Sequence, residues 1–183
     1  MKELSLNILD ITENSVKAGA TLVEISITET EQTLLISISD NGTGMTEEVL
    51  RSVCDPFYTT RTTRRVGMGI PLFKFAAEQT GGTLTIRSKH IGDFPEAHGT
   101  TVCAELFKNH IDFTPLGDTV STVVTLIQGH PDVDFLFVHK TQGGEVRLDT
   151  RELRAVLDDV PLDSFEVLIW IKENLEEQYN GFN

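Results

Sequence analysis

The chain has 183 residues, enough for one core or for one domain with a modest extension. Its composition, 39% hydrophobic and 23% charged, is that of a globular protein, and no apolar run is long enough to cross a bilayer. A formal net charge of −13 repels polyanions, which argues against broad DNA or RNA binding but leaves room for a small anionic ligand at a locally basic site.

Residues 3 to 18 read as a helix, with Leu4, Ile8, Ile11 and Ser15 at helical spacing and Gly19 as the stop. Residues 22 to 28 and 34 to 40 alternate apolar and polar as half-buried strands do, and the stretch from Glu29 to Thr33 joins them as a hairpin. Asn41-Gly42-Thr43-Gly44-Met45 is a loop, and Thr46-Glu47-Glu48 then opens a short helix with acids in its first turn. Residues 58 to 66 are polar and basic with no packing face and read as a mobile loop. Gly67-Met68-Gly69 leads into a helix that accepts Pro71 near its start and stops at Gly81-Gly82. Strands follow at about 83 to 89 and 100 to 107.

Near Lys108 the texture changes, and a boundary near 110 divides the chain into residues 1–109 and 110–183. In the second part residues 115 to 128 fit a helix, although the β-branched run from Thr119 to Ile127 also fits a strand. Residues 133 to 140 and 144 to 149 read as strands around a Gln142-Gly143-Gly144 turn. Thr150 is the expected cap of a helix over about 151 to 158, Pro161 to Asp163 breaks it, and residues 164 to 179 form a last amphipathic helix. This part is either an extension of the core or a docking surface for a partner or a second copy.

Four constellations carry the chemistry. Asp10, Asn14 and Lys17 project from one side of the first helix. There an Asn carbonyl suits Mg²⁺, an acid orients a water and a lysine meets a phosphate, unless the three are simply a solvated face. Asp40 ends an apolar strand, where a carboxylate can accept from the exocyclic amine of adenine, and Gly42 and Gly44 let backbone pass close to the ligand. The ordinary reading of the same residues is a strand-to-turn signal. Gly67, Met68, Gly69 and Ile70 open a helix whose N–H groups attract phosphate, with Arg61, Arg64 and Arg65 just upstream to clamp the phosphate tail. His98-Gly99-Thr100-Thr101 enters a strand, where a Thr hydroxyl can bond an adenine nitrogen.

In their order and placement these segments resemble the N, G1, F, G2 and G3 boxes of the gyrase, heat-shock chaperone, histidine kinase and MutL ATPase superfamily. Asn14 matches the Mg²⁺-binding Asn of the N box, and Asp40 the adenine-reading Asp of G1. The run from Asp55 to Thr60 matches the F box of the histidine-kinase branch, Gly67 and Gly69 match G2, and Gly99 with Thr101 match G3. The resemblance spans about residues 3 to 107 and is closest to the histidine-kinase ATP-binding domain. It implies a two-layer α/β sandwich, an ATP-binding fold of Bergerat type, with a mixed, mostly antiparallel sheet, helices on one face and a lid between the F and G2 boxes. It further implies that ATP and Mg²⁺ are bound by Asn14, Lys17, Asp40, Gly42, Gly44, Met45, Phe57, Thr60, Arg61, Gly67, Met68, Gly69, Ile70 and Thr101, with Asp10 and Asn14 the catalytic pair.

Two departures bear on the reaction. Many relatives carry Glu four residues before the Asn; Asp10 is shorter and reaches a water less well. With nine residues ahead of Asp10, no phosphoacceptor hairpin is expected, and His90, His98, His110, His130 and His139 read as loop, turn or strand residues. The leading expectation is a kinase-like regulator that passes phosphate to a separate protein. The alternatives are a non-catalytic nucleotide sensor and, ranked last, a slow ATPase working by dimer closure. The start lacks a secretory pattern, so a cytoplasmic location is expected, and Cys54 and Cys103 are too few and too far apart for a disulfide scaffold or a metal site.

Overall fold

The computed structural model describes residues 3–54 and 68–182. Helix α1 (Leu4–Lys17) buries Leu4, Ile8, Ile11 and Ser15, the stripe expected from the spacing. No side chain caps its start. Instead the N–H groups of Leu4 and Ser5 donate to the carbonyls of Pro115 and Leu116, at 2.9 and 2.8 Å. The first turn of the chain is thus tied to a segment more than a hundred residues away.

Strands β1 (Leu22–Glu29) and β2 (Thr33–Asp40) form the expected hairpin. Thr46 caps the short α2 (Glu47–Ser52). Helix α3 (Gly69–Gln79) precedes β3 (Thr83–Lys89) and β4 (Gly99–Phe107). Then come α4 (Thr119–Gly129), β5 (Asp134–Lys140), β6 (Glu145–Asp149), α5 (Thr150–Leu157) and α6 (Phe165–Asn180). The sheet has six strands in the order β3-β4-β2-β1-β5-β6, antiparallel throughout except where β5 runs parallel to β1. This is the mixed, mostly antiparallel two-layer sandwich that the motifs implied.

The alternation of each strand places the core. Val23, Ile25 and Ile27, Leu34, Ile36 and Ile38, and Val102, Ala104 and Leu106 point to one face and are buried under α1, α3 and α4. Phe135, Phe137, Val146 and Leu148 continue that face, and α6 adds Val167, Ile171 and Leu175. One contiguous cluster of apolar side chains therefore runs across both sides of residue 110. Phe137→Ala is expected to cost about 3–5 kcal/mol, the usual range for emptying a buried Phe site. Urea denaturation of the full chain should then show one transition at a lower midpoint. Two separated transitions would mean that the halves hold cores of their own.

Helix α4 resolves the ambiguity of the β-branched run. Asp118 caps it, its carboxylate accepting from Ser121 N–H at 2.8 Å and Ser121 Oγ at 2.6 Å, and those bonds hold the Asp118 pKa below the usual carboxylate value. Thr119, Thr122, Val123, Leu126 and Ile127 then fall on one buried stripe. Packing against α1 and α6 outweighs the weak helix propensity of Val and Thr. The start of α5 differs from expectation. Asp149 is its cap, accepting from Arg151 N–H at 3.0 Å. Thr150 is buried because its hydroxyl is taken by β5, accepting from Phe135 N–H at 2.8 Å and donating to Asp134 at 2.9 Å.

Candidate functional site

The site forms where α1 crosses the ends of β2 and β4. Asp40 is the last residue of β2, on the core side of the sheet, and stands in register with Thr100 of β4. Its Oδ2 accepts from Ser15 Oγ at 2.6 Å, and its Oδ1 accepts from the N–H groups of Gly42 and Thr100 at 2.9 and 3.2 Å. Three segments hold one carboxylate, so its orientation is set before any ligand arrives. An anchored carboxylate keeps spare lone pairs with which to accept from an amine.

The loop after Asp40 is clamped on both sides. Thr43 N–H donates to the Ala18 carbonyl at 2.9 Å, and Asn41 Oδ1 accepts from Thr21 and Leu22 N–H at 2.9 and 3.0 Å. On the other side Met45 N–H donates to Ser88 Oγ at 2.7 Å, and His98 Nδ1 donates to the Gly42 carbonyl at 2.5 Å. Gly44 has a φ of +69°, and a Cβ there would run into the Lys89 carbonyl. Only glycine lets the loop lie this close to the end of β3.

Asp10, Asn14 and Lys17 are exposed along one face of α1. The start of α3 rests against that face: a Cβ placed on Gly69 would stand 3.2 Å from Asp10 Cβ and 3.8 Å from Asn14 Nδ2. Among the described residues no side chain caps α3, Met68 is exposed, and Ile70 is buried with its backbone at the first turn. The positive end of this helix therefore lies beside Asp10 and Asn14. Asn14 and Ser15 are consecutive, so one turn of α1 joins the Asn14 end of the site to the Asp40 end. Partial desolvation raises the Asp10 carboxyl above its usual value; Lys17 opposes the rise and Glu13 adds to it.

One sequence-based assignment is corrected. Thr101 pairs with Ser39, their hydroxyls 2.8 Å apart, on the sheet face opposite Asp40. Thr100 is the threonine at the site: its N–H meets Asp40, and its hydroxyl bonds Ser88 Oγ at 2.7 Å. The reason is strand alternation, since Val102 is a core residue and its neighbour Thr101 must face away. Ser15 and Ser88 were missed as well, and His98, named in its motif, was read only as a loop, turn or strand residue. Only Ser15 had a usable signal, being a polar residue on the otherwise apolar stripe of α1. Phe57, Thr60, Arg61 and Gly67, with Arg64 and Arg65, lie outside the described residues.

A carboxylate fixed at a strand end, beside the polar face of α1 and the start of α3, marks the candidate site in this two-layer sandwich. Residues 2–110 match the family model of the histidine kinase-, DNA gyrase B-, and HSP90-like ATPase. The chain belongs to that family. It is 27% identical to sporulation kinase B of Bacillus subtilis over 106 residues, which is 58% of this chain and 23% of that protein. It is 30% identical to sporulation kinase C of the same organism over 89 residues, 49% of this chain and 20% of the relative. The chain thus spans about a fifth of the length of these relatives. The Aquifex aeolicus MutL ATPase domain complexed with ADP shares the fold, with a TM-score of 0.56 at 18% identity over 86% of this chain and 69% of that one.

Proposed function

We propose that this protein binds Mg-ATP between α1, the Asp40 loop and the start of α3, and transfers the terminal phosphate to a separate protein. The observation that carries this is the joining of Asp40 and Asn14 through a single turn of α1, with Ser15 bonded to Asp40. Asp40 accepts from the exocyclic amine of adenine, beside Gly42, Gly44, Met45 and Thr100. Lys17, Arg61 and the N–H groups from Gly67 to Ile70 hold the phosphates.

Mg²⁺ fits the residues present. Asn14 offers an exposed hard oxygen, and Mg²⁺ at a nucleotide takes most of its ligands from phosphate and water. The ion neutralises charge on the transferring phosphate. Asp10, one turn before Asn14, orients the attacking group and takes its proton, and its raised pKa means that this role is lost as pH falls.

The acceptor is sought elsewhere because none of the five histidines lies in a helix. His90 and His110 sit in turns, where they accept from Gly92 and Asp112 N–H. His98 is bonded to Gly42, His130 follows α4 and meets Glu13 at 2.7 Å, and His139 is buried in β5 with its Nδ1 at Tyr179 Oη. Burial holds the His139 pKa down.

The shortness of Asp10 favours a second reading, in which ATP is a switch read by a partner. One experiment separates the two. The protein is incubated with γ-labelled ATP, Mg²⁺ and the proteins encoded beside it. Label on a partner is expected; nucleotide bound with no label transferred would leave the switch. Asn14→Ala should reduce the Mg²⁺-dependent part of ATP affinity about tenfold, as read by titration calorimetry with and without the metal. A protein indifferent to adenine nucleotides at millimolar concentration would overturn both readings.

A further inference from the structure

Helices α5 and α6 leave an apolar groove between them that lies outside the family-matched residues. Leu153, Val156 and Leu157 line one wall, Val167 and Trp170 the other, around a cavity of about 480 Å³. Leu153, Leu157 and Val167 root it in the core, whereas Val156 is 84% exposed and Trp170 48% exposed at its mouth. Phe165, 73% exposed, extends the apolar surface at the start of α6. Contiguous exposed apolar side chains of this kind, unlike singly scattered ones, are a feature of interaction sites.

Charge identifies the occupant. Among the described residues Glu166 is the only charged one lining the groove. The connection between the helices adds Asp158, Asp159 and Asp163, all exposed, and no ion pair engages these four acids among the described residues. The cations of the two helices are occupied: Arg151 bonds Asp149, Arg154 bonds Asp134, and Lys172 pairs with Glu176. A second copy docked symmetrically would place these acids against themselves. We infer that the groove receives an amphipathic helix of another protein, one that inserts large apolar side chains and carries Lys or Arg along its flanks. A third helix laid between two others completes a small bundle, and basic flanks answer the acidic rim.

Trp170 is the only tryptophan in the chain, so its emission reports on the groove directly. The probes are a synthetic amphipathic helix of Leu and Lys and its Leu and Glu counterpart, added without nucleotide. The outcome is therefore independent of the ATP reading. The Leu/Lys helix is expected to shift Trp170 emission to the blue in a saturable way that weakens with salt, and the Leu/Glu helix to leave it unchanged. Val156→Asp, at a position exposed enough to leave the fold intact, should weaken the response at least about tenfold. Glu166→Lys should weaken the Leu/Lys response and admit the Leu/Glu helix. No shift with the Leu/Lys helix, or the same titration in Val156→Asp, overturns the inference. Emission that moves with protein concentration alone also overturns it and assigns the groove to a second copy.

Discussion

Asp40→Asn is expected to weaken ATP binding about 100-fold while leaving tripolyphosphate binding nearly unchanged. The carboxylate is anchored by Ser15, by the Gly42 and Thr100 N–H groups, and keeps acceptor capacity on its open side. Asn has nearly the same shape but replaces one acceptor oxygen with a donor. If its oxygen stays with Gly42 and Thr100, its NH₂ stands where the adenine amine must donate. A hydrogen bond to a charged acceptor contributes about 1.5–3 kcal/mol, and the upper part of that range corresponds to the stated loss. Tripolyphosphate has no base, so it samples only the Asn14, Lys17 and α3 end of the site. Titration calorimetry with both ligands checks this. Equal losses for ATP and tripolyphosphate would show that Asp40 matters through the fold rather than through the base.

Gly99→Ala should damage stability and the site together. Gly99 opens β4 with a φ of +133°, and a Cβ there would overlap the Asp40 carbonyl oxygen. The added methyl must push β4 away from β2 at the place where Thr100 N–H holds the Asp40 carboxylate. Backbone strain and overpacking together cost about 3 kcal/mol or more. For a chain of this size that lowers Tm by roughly 6–12 °C. ATP affinity should fall with it, because the displaced strand carries one of the Asp40 donors. Gly129→Ala is the matched control: nothing stands within 4 Å of a Cβ there, so its effect should be within about 1 kcal/mol. A Gly99→Ala protein with wild-type Tm and ATP affinity would show that β4 entry has slack that the structure does not display.

Much of the first half was legible because its signals are local. The apolar spacing of α1 and the alternation of β1 and β2 depend on side chains a few residues apart, and all three elements form where expected. The same alternation, carried back two residues from Val102, points to Thr100, but the motif match favoured Thr101 and put it on the wrong sheet face. The Thr119 to Ile127 run was ambiguous for a different reason. Propensity favours a strand, and only burial against α1 and α6 decides for helix α4. Thr150 looked like a cap because Thr is a capping residue; its hydroxyl instead satisfies β5, which leaves Asp149 the role.

By itself the sequence determined which of the candidate side chains share an element. Asp10, Asn14 and Lys17 lie on one helix face, and Asp40 ends a strand, because helical and strand periodicities are properties of neighbouring residues. Only the tertiary structure decided that Ser15 reaches Asp40 across 25 positions and that Thr100 reaches it across 60. It alone decided, too, that β5 lies parallel to β1 and carries the core past residue 110. Those contacts are set by strand register and helix packing between distant segments, for which no short stretch of chain holds the information.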